Sequence, residues 1–233
     1  MSVESERVVL GIETATRGCS VALVSSGRSA TLFEEAGRTH SERLLPMIEA
    51  LLTDQGMVLT DLDGIAFGAG PGSFVGIRIG ASVAHALALA AGVDTVPVSS
   101  LAALAVAQDQ PLVAVAVDAR MEQVYWGCYR RVGADRVKLI GDEVVVGPGE
   151  VSLPDPGDNE SWFGVGSGWS LYSDRMSARL QGRVSTWEGE GLPHAREVAR
   201  LGLQILESGG TTDQIGLPSY VRQRVAALPG EKL

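Results

Sequence analysis

The side chains and loops able to do chemistry are few and far apart. A glycine loop, Gly68-Ala-Gly-Pro-Gly72, follows a short apolar run and precedes a helical stretch, the placement in which backbone amides cradle phosphate. The same glycines serve equally well as a plain strand-to-helix turn. His40, His85 and His194 share no ligand spacing, so packing or surface positions are expected for them rather than a metal. Gly166-Ser-Gly168 lacks the Gly-x-Ser-x-Gly spacing of a nucleophile elbow, and no nucleophile has a histidine close to it in sequence. Cys19 and Cys128 are distant from each other and lack a partner motif, which suits buried, reduced thiols.

Alternating strands and helices must position these residues. Residues 8–12, 19–24 and 30–34 read as an antiparallel meander, with a polar turn over residues 13–18 and a hairpin turn at Gly27-Arg28. Thr39 and Glu42 fit a capping box for a helix with the apolar face Leu44, Leu45, Ile48, Leu51 and Leu52, which Pro46 should kink or weaken. Residues 65–67 suit a buried parallel strand, and a helix should start at about Ser73. On that helix Gly76, Gly80, Ala84 and Ala88 form a stripe without bulk that admits another backbone, with Arg78, Ser82 and His85 opposite. A strand over 94–98 follows, then a helix capped by Ser99 or Ser100.

Asp109-Gln-Pro111 interrupts the pattern, dividing a first half (1–108) from a strand-rich second half (109–192). In the second half strands are expected over 112–117, 123–130, 136–146, 163–165 and, at an edge, 184–187, with an exposed loop over 148–160 and a helix over 171–180. All four tryptophans, Trp126, Trp162, Trp169 and Trp187, lie there. Residues 193–233 should form a helix packing back, with the face Ala195, Val198, Leu201 and Ile205 ended by Gly209-Gly210, and a docking tail at Pro218-Ser-Tyr-Val-Arg222.

The 233 residues are 45% hydrophobic, enough for a sizeable core. Nineteen basic against 28 acidic residues give a net charge of −9, which argues against a large phosphate-binding surface and leaves any grip on nucleic acid to a partner. No run approaches the roughly 18 consecutive apolar residues of a membrane span. Residues 1–7 are polar and acidic, unlike a secretory signal, so a cytoplasmic protein is expected.

The N-terminal strand, polar turn and strand recur near Asp118, suggesting duplicated halves around a cleft. Ile12-Glu-Thr-Ala-Thr16, His40-Ser-Glu-Arg-Leu-Leu-Pro46, Pro71-Gly-Ser-Phe-Val-Gly-Ile-Arg-Ile-Gly80, Val96-Pro-Val-Ser-Ser-Leu-Ala-Ala-Leu104, Asp118-Ala-Arg-Met121 and Pro218-Ser-Tyr-Val-Arg222 occur in that order. Together they resemble the TsaB (YeaZ) family. The resemblance implies an α/β fold of the actin, Hsp70 and sugar-kinase (ASKHA) class with two ribonuclease-H-like halves. It implies a non-catalytic scaffold and activator in N6-threonylcarbamoylation of adenosine 37 in ANN-decoding tRNAs, beside a TsaD-like catalytic subunit and a TsaE-like ATPase, with tRNA met only indirectly.

In TsaD-like relatives two metal-ligand histidines occupy the places of Ser100 and Leu104, neither of which is a credible ligand. Glu13 stands at the first phosphate turn where active relatives commonly have Asp, and Thr14 follows it; the second turn, at Asp118, has no glycine, and Arg120 and Met121 should crowd the cleft. Gly164-Val-Gly166-Ser-Gly168 fits either a remnant adenosine loop or a strand-to-helix turn. No metal and no cofactor are expected in this chain alone, though ATP or ADP at a shared subunit interface stays open. The expected partner surface is helical, made of Leu44, Leu45, Ile48, Leu52, Phe74, Ile77, Arg78 and Ala81 in a four-helix bundle, with a homodimer through the same helices as a further possibility. The alternatives are an ATP-binding phosphotransferase or ATPase using Glu13 and Asp118 around Mg²⁺, and a metallopeptidase of the glycoprotease type.

Overall fold

A computed structural model describes residues 6–37, 39–155 and 161–209. Its first half is built on β1 (Val9–Glu13), buried along its whole length because it is the middle strand of a sheet covered on both faces. β2 (Gly18–Ser25) and β3 (Arg28–Glu35) complete the meander, turning at Ser26 and Gly27, one residue earlier than the sequence suggests. β4 (Gly64–Gly68) pairs with β1 and β5 (Asp94–Val98) with β4, both parallel, giving the order β3-β2-β1-β4-β5.

Helix α1 (His40–Asp54) runs through Pro46 as one element. Its capping box does not form: the Thr39 hydroxyl donates to the Ala36 carbonyl 2.9 Å away, so Thr39 closes the preceding turn instead. In α2 (Phe74–Ala91) the cap is Ser73, whose Oγ accepts from the Gly76 amide. The whole small-residue stripe of α2 is buried, and its purpose is specific. A Cβ on Gly76 would overlap the Thr14 carbonyl oxygen, and one on Gly80 would lie 2.5 Å from Thr14 Oγ1, which itself donates to the Gly76 carbonyl at 2.8 Å. The turn after β1 therefore sits directly on the α2 backbone. His85, expected on the outer face, is half-buried with its ring edge-on to Phe67. Among the described residues α2 is the one helix whose length and composition suit a bilayer span, although a count of consecutive apolar residues misses it; here it packs on β4, β5 and α1.

The second half repeats the plan with β6 (Leu112–Arg120), β7 (Gln123–Gly133), β8 (Arg136–Leu139), β9 (Val144–Val146), β10 (Trp162–Val165) and β11 (Val184–Glu188). The order β8-β7-β6-β10-β11 matches that of the first sheet, again with three antiparallel and two parallel strands. Three features differ from the sequence reading. The strand expected over 136–146 is two strands. The loop expected to be exposed buries Val151, and the Ser152 carbonyl accepts from the Trp126 indole at 3.0 Å, because that buried N–H needs an acceptor. Helix α4 (Ser167–Leu180) starts four residues early, at the Gly166 turn, and is non-helical at Tyr172.

Between the halves lie α3 (Ser100–Val106), capped by Ser99, and α5 (Ala195–Glu207). Leu101, Leu104 and Ala105 of α3 pack on Val113, Val115 and Val165 of the second sheet, while Ala103 joins Val198, Ala199 and Leu203 of α5 on the first. Within α5, Leu201 and Ile205 are only partly buried; the closest contact comes from Ala195 and Ala199 against Gly11, where any Cβ would overlap the Ala195 carbonyl oxygen. The expected docking tail at Pro218–Arg222 and residue Gly210 lie outside the described residues.

Gly76→Ala should lower unfolding free energy by about 1–3 kcal/mol, since the Thr14 carbonyl it meets is backbone and cannot rotate away. Ser82→Ala, exposed on the same helix, should stay within about 0.5 kcal/mol. Urea melts of both variants check the contrast.

Candidate functional site

The two halves face each other across a cleft of about 670 Å³, floored by Ala15, Gly72 and Val117 and bordered by Arg17, Phe74, Asp118, Arg120, Tyr125 and Leu171. It is bridged in two places. The Tyr125 hydroxyl lies 3.4 Å from the Gly72 carbonyl, and Arg17 pairs with Glu190 at 2.9 Å.

Of the four residues that sequence places in this cleft, Asp118 alone lines it. Glu13 points the other way, into the core, because Gly68 leaves room there; a Cβ on Gly68 would overlap the carboxyl group. Glu13 Oε1 accepts from the Ala15 amide at 2.6 Å, and Oε2 from the Ser100 hydroxyl at 2.7 Å. Burial raises the Glu13 pKa above the ordinary carboxylate value, and the Ala15, Ser100 and Thr14 hydrogen bonds only partly offset this. Thr14 is buried against α2. Gly166 has φ +105° with the Ala116 carbonyl where a Cβ would stand, so its place in the sequence is explained by the turn into α4.

Several amides of the two turns are already taken by the chain's own side chains. Besides Ala15, the Gly18 amide donates to Thr16 Oγ1, Asp118 to Ser167 Oγ and Arg120 to Asp118 Oδ1. The second turn is held in the left-handed region at Arg120, Met121 and Glu122, with φ between 54° and 64°. Arg120, paired with Asp118 at 3.2 Å, is 88% exposed; it borders the cleft without filling it, and Met121 does not line it at all. The residues present thus fit a nucleotide's phosphates poorly.

Ser100 and Leu104 are both buried, the first on Glu13 and the second in the contact between halves. Among the described residues no group of three His, Cys, Asp or Glu side chains is placed to hold a metal ion. His40 Nε2–H donates to the Gly18 carbonyl, 3.2 Å away, and His194 lies against the Phe33 ring, with burial lowering its pKa. Cys19 and Cys128 are free and buried.

The helical surface separates into two sets. Leu44, Ile48, Ile77 and Ala81 are buried in the core of their own half, so they are unavailable to a partner. Leu45 and Phe74 are 50% and 46% exposed, Leu52 is half-buried, and Arg78 lies with its guanidinium 3.2 Å over the Phe74 ring. Val75 and Leu89 of α2 are also exposed.

Two repeated sheets, a cleft between them and a helix shared across the boundary define a two-half fold of the actin and sugar-kinase type. A family profile described as TsaD, tRNA N6-adenosine threonylcarbamoyltransferase, matches residues 32–181. The tRNA threonylcarbamoyladenosine biosynthesis protein TsaB of Escherichia coli K12 is 36% identical over 232 residues, spanning 96% of this chain and 99% of that one. Its namesake in Haemophilus influenzae is 37% identical over 238 residues, spanning 96% and 98%. The structure of YeaZ from Pseudomonas aeruginosa superposes with a TM-score of 0.83 at 38% identity, covering 92% of this chain and 99% of that one. The chain belongs to the TsaB (YeaZ) family.

For Glu13 the folded state holds its proton above the pH at which the unfolded state loses it. Stability is therefore full below the ordinary carboxylate pKa and falls as pH rises towards the raised one, by at most about 1.4 kcal/mol per pH unit. Glu13→Gln keeps the acceptor for Ala15 and donates to Ser100 Oγ instead. Melting curves from pH 4 upward should show a flatter pH dependence in the variant than in the wild type.

Proposed function

We propose that this chain serves the biosynthesis of N6-threonylcarbamoyladenosine in tRNA as a non-catalytic subunit, by pairing with and stabilising a TsaD-like catalytic subunit. The role in this pathway follows from the named relatives over nearly the whole chain. One observation supports the non-catalytic part: both Glu13 oxygens are engaged inside the core, and the Asp118 carboxylate that does border the cleft is paired with Arg120 and holds its amide. The activity then resides in the partner, together with the metal and any nucleotide, and ATP or ADP contacts this chain at most along a shared interface. A TsaE-like ATPase completes the set, and the partners rather than this acidic chain grip tRNA.

The pairing surface is the outward part of α1 and α2, centred on Leu45, Phe74 and Arg78, with Leu52 at its margin. An apolar patch of this kind is unfavourable in water, and a related fold offers the matching two helices. A homodimer would use the same patch and compete with the partner. The setting is cytoplasmic, where tRNA and the partner chains meet.

Leu45→Asp with Phe74→Asp tests the pairing without touching the core, since both side chains are half-exposed. The folded double variant should lose co-purification with the TsaD-like subunit, weakened by at least about 100-fold in Kd, and modified adenosine should fall with it in a reconstituted reaction. Retention of both would exclude this surface. Turnover of ATP by the purified chain alone would favour the phosphotransferase reading instead.

A further inference from the structure

The pairing of β7 with β8 and then β9 breaks where one partner strand gives way to the other. Tyr129 faces Leu139 of β8 and Trp126 faces Val144 of β9, so residues 140–143 lie opposite residues 127 and 128 alone, a bulge of two extra residues. Gly141 within it has φ +80°. Bulges bend a strand and re-aim a side chain, and the side chain re-aimed here is Glu143. Its Oε1 accepts from the Tyr129 hydroxyl and from the Ser99 hydroxyl.

The two donors belong to opposite halves. Ser99 ends β5 and caps α3, where its Oγ accepts from the Leu101 and Ala102 amides at 3.1 and 3.2 Å; with its lone pairs thus engaged, its single proton points to Glu143. Tyr129 is buried at the sheet contact with α3. Gly127 lets its ring lie along the strand, since a Cβ there would come within 2.9 Å of Tyr129 Cε2 and 3.4 Å of Leu101 Cδ1. The next residue, Ser100, donates to Glu13 of the first half. Two adjacent serines thus tie the start of α3 to one carboxylate in each half.

We infer that Glu143 is a latch between the halves, a positioning residue whose carboxylate joins Ser99 to Tyr129 and fixes the angle across the cleft. Nothing in the pairing surface on α1 and α2 is needed for this, so it stands apart from the proposed function. A half-buried carboxylate that holds one donor from each half adds two directional, charge-assisted contacts that must both break before the halves can separate.

Spin labels on Ser29→Cys and Ala178→Cys, exposed positions in the first and second half, read the distance between halves. Burial pushes the thiols of Cys19 and Cys128 up to about 11 and about 12, so they stay unlabelled at neutral pH. Glu143→Ala should broaden the distance distribution with circular dichroism unchanged, and Glu143→Gln, which keeps an acceptor oxygen, should restore it. A wild-type distribution in folded Glu143→Ala overturns the latch. Should that variant fail to fold, Tyr129→Phe decides: amide exchange at residues 101, 102 and 140–143 should speed up by about fivefold or more, and unchanged exchange overturns the latch.

Discussion

The buried carboxyl group of Glu13 is the constraint on which the architecture turns. It occupies the space left by Gly68, holds the Ala15 amide and takes the Ser100 proton, so the turn after β1, the end of β4 and the start of α3 meet at one side chain. Thr14, its neighbour, fixes the same turn to the backbone of α2 at Gly76 and Gly80. A charged group is costly in such a place, and its raised pKa reflects that. The geometry persists because each oxygen has a donor of its own.

This arrangement sets the turn after β1 apart from a phosphate-binding turn. A catalytic turn must keep a carboxylate and free amides directed at the cleft, where they can meet a metal and a phosphate. Here the Glu13 carboxyl is turned inward and the amides of Ala15, Gly18, Asp118 and Arg120 donate to side chains of the chain itself, while the Asp118 carboxylate borders the cleft paired with Arg120. The cleft that remains is bridged by Tyr125 and Arg17. The proposed pairing surface lies outside this cleft, on α1 and α2.

That surface shares its helices with the core. One side of α1 and α2 packs on the first sheet through Leu44, Ile48 and Ala81, with Ile77 also buried, while the other side carries Leu45, Phe74 and Arg78 outward. The stripe of Gly76, Gly80, Ala84 and Ala88 lets α2 approach its own sheet closely, and Phe74, Val75 and Leu89 face solvent.

The sequence by itself determined most of the strands and helices, the duplicated halves, a helix start near Ser73 and a cap at Ser99 or Ser100, because period, turn chemistry and capping are local properties of the chain. It also determined the family, through motifs spread along most of the length. Only the tertiary structure decided which way Glu13 points, which half of the apolar helix residues are buried, why the strand breaks before Glu143, and that Val151 belongs to the core. Each of these depends on a neighbour distant in sequence: Gly68 and Ser100 for Glu13, the sheet for Ile77, Ser99 for Glu143, the second-half apolar cluster for Val151. Periodicity shows that a face is apolar, but what covers it is settled by packing between segments far apart in the chain.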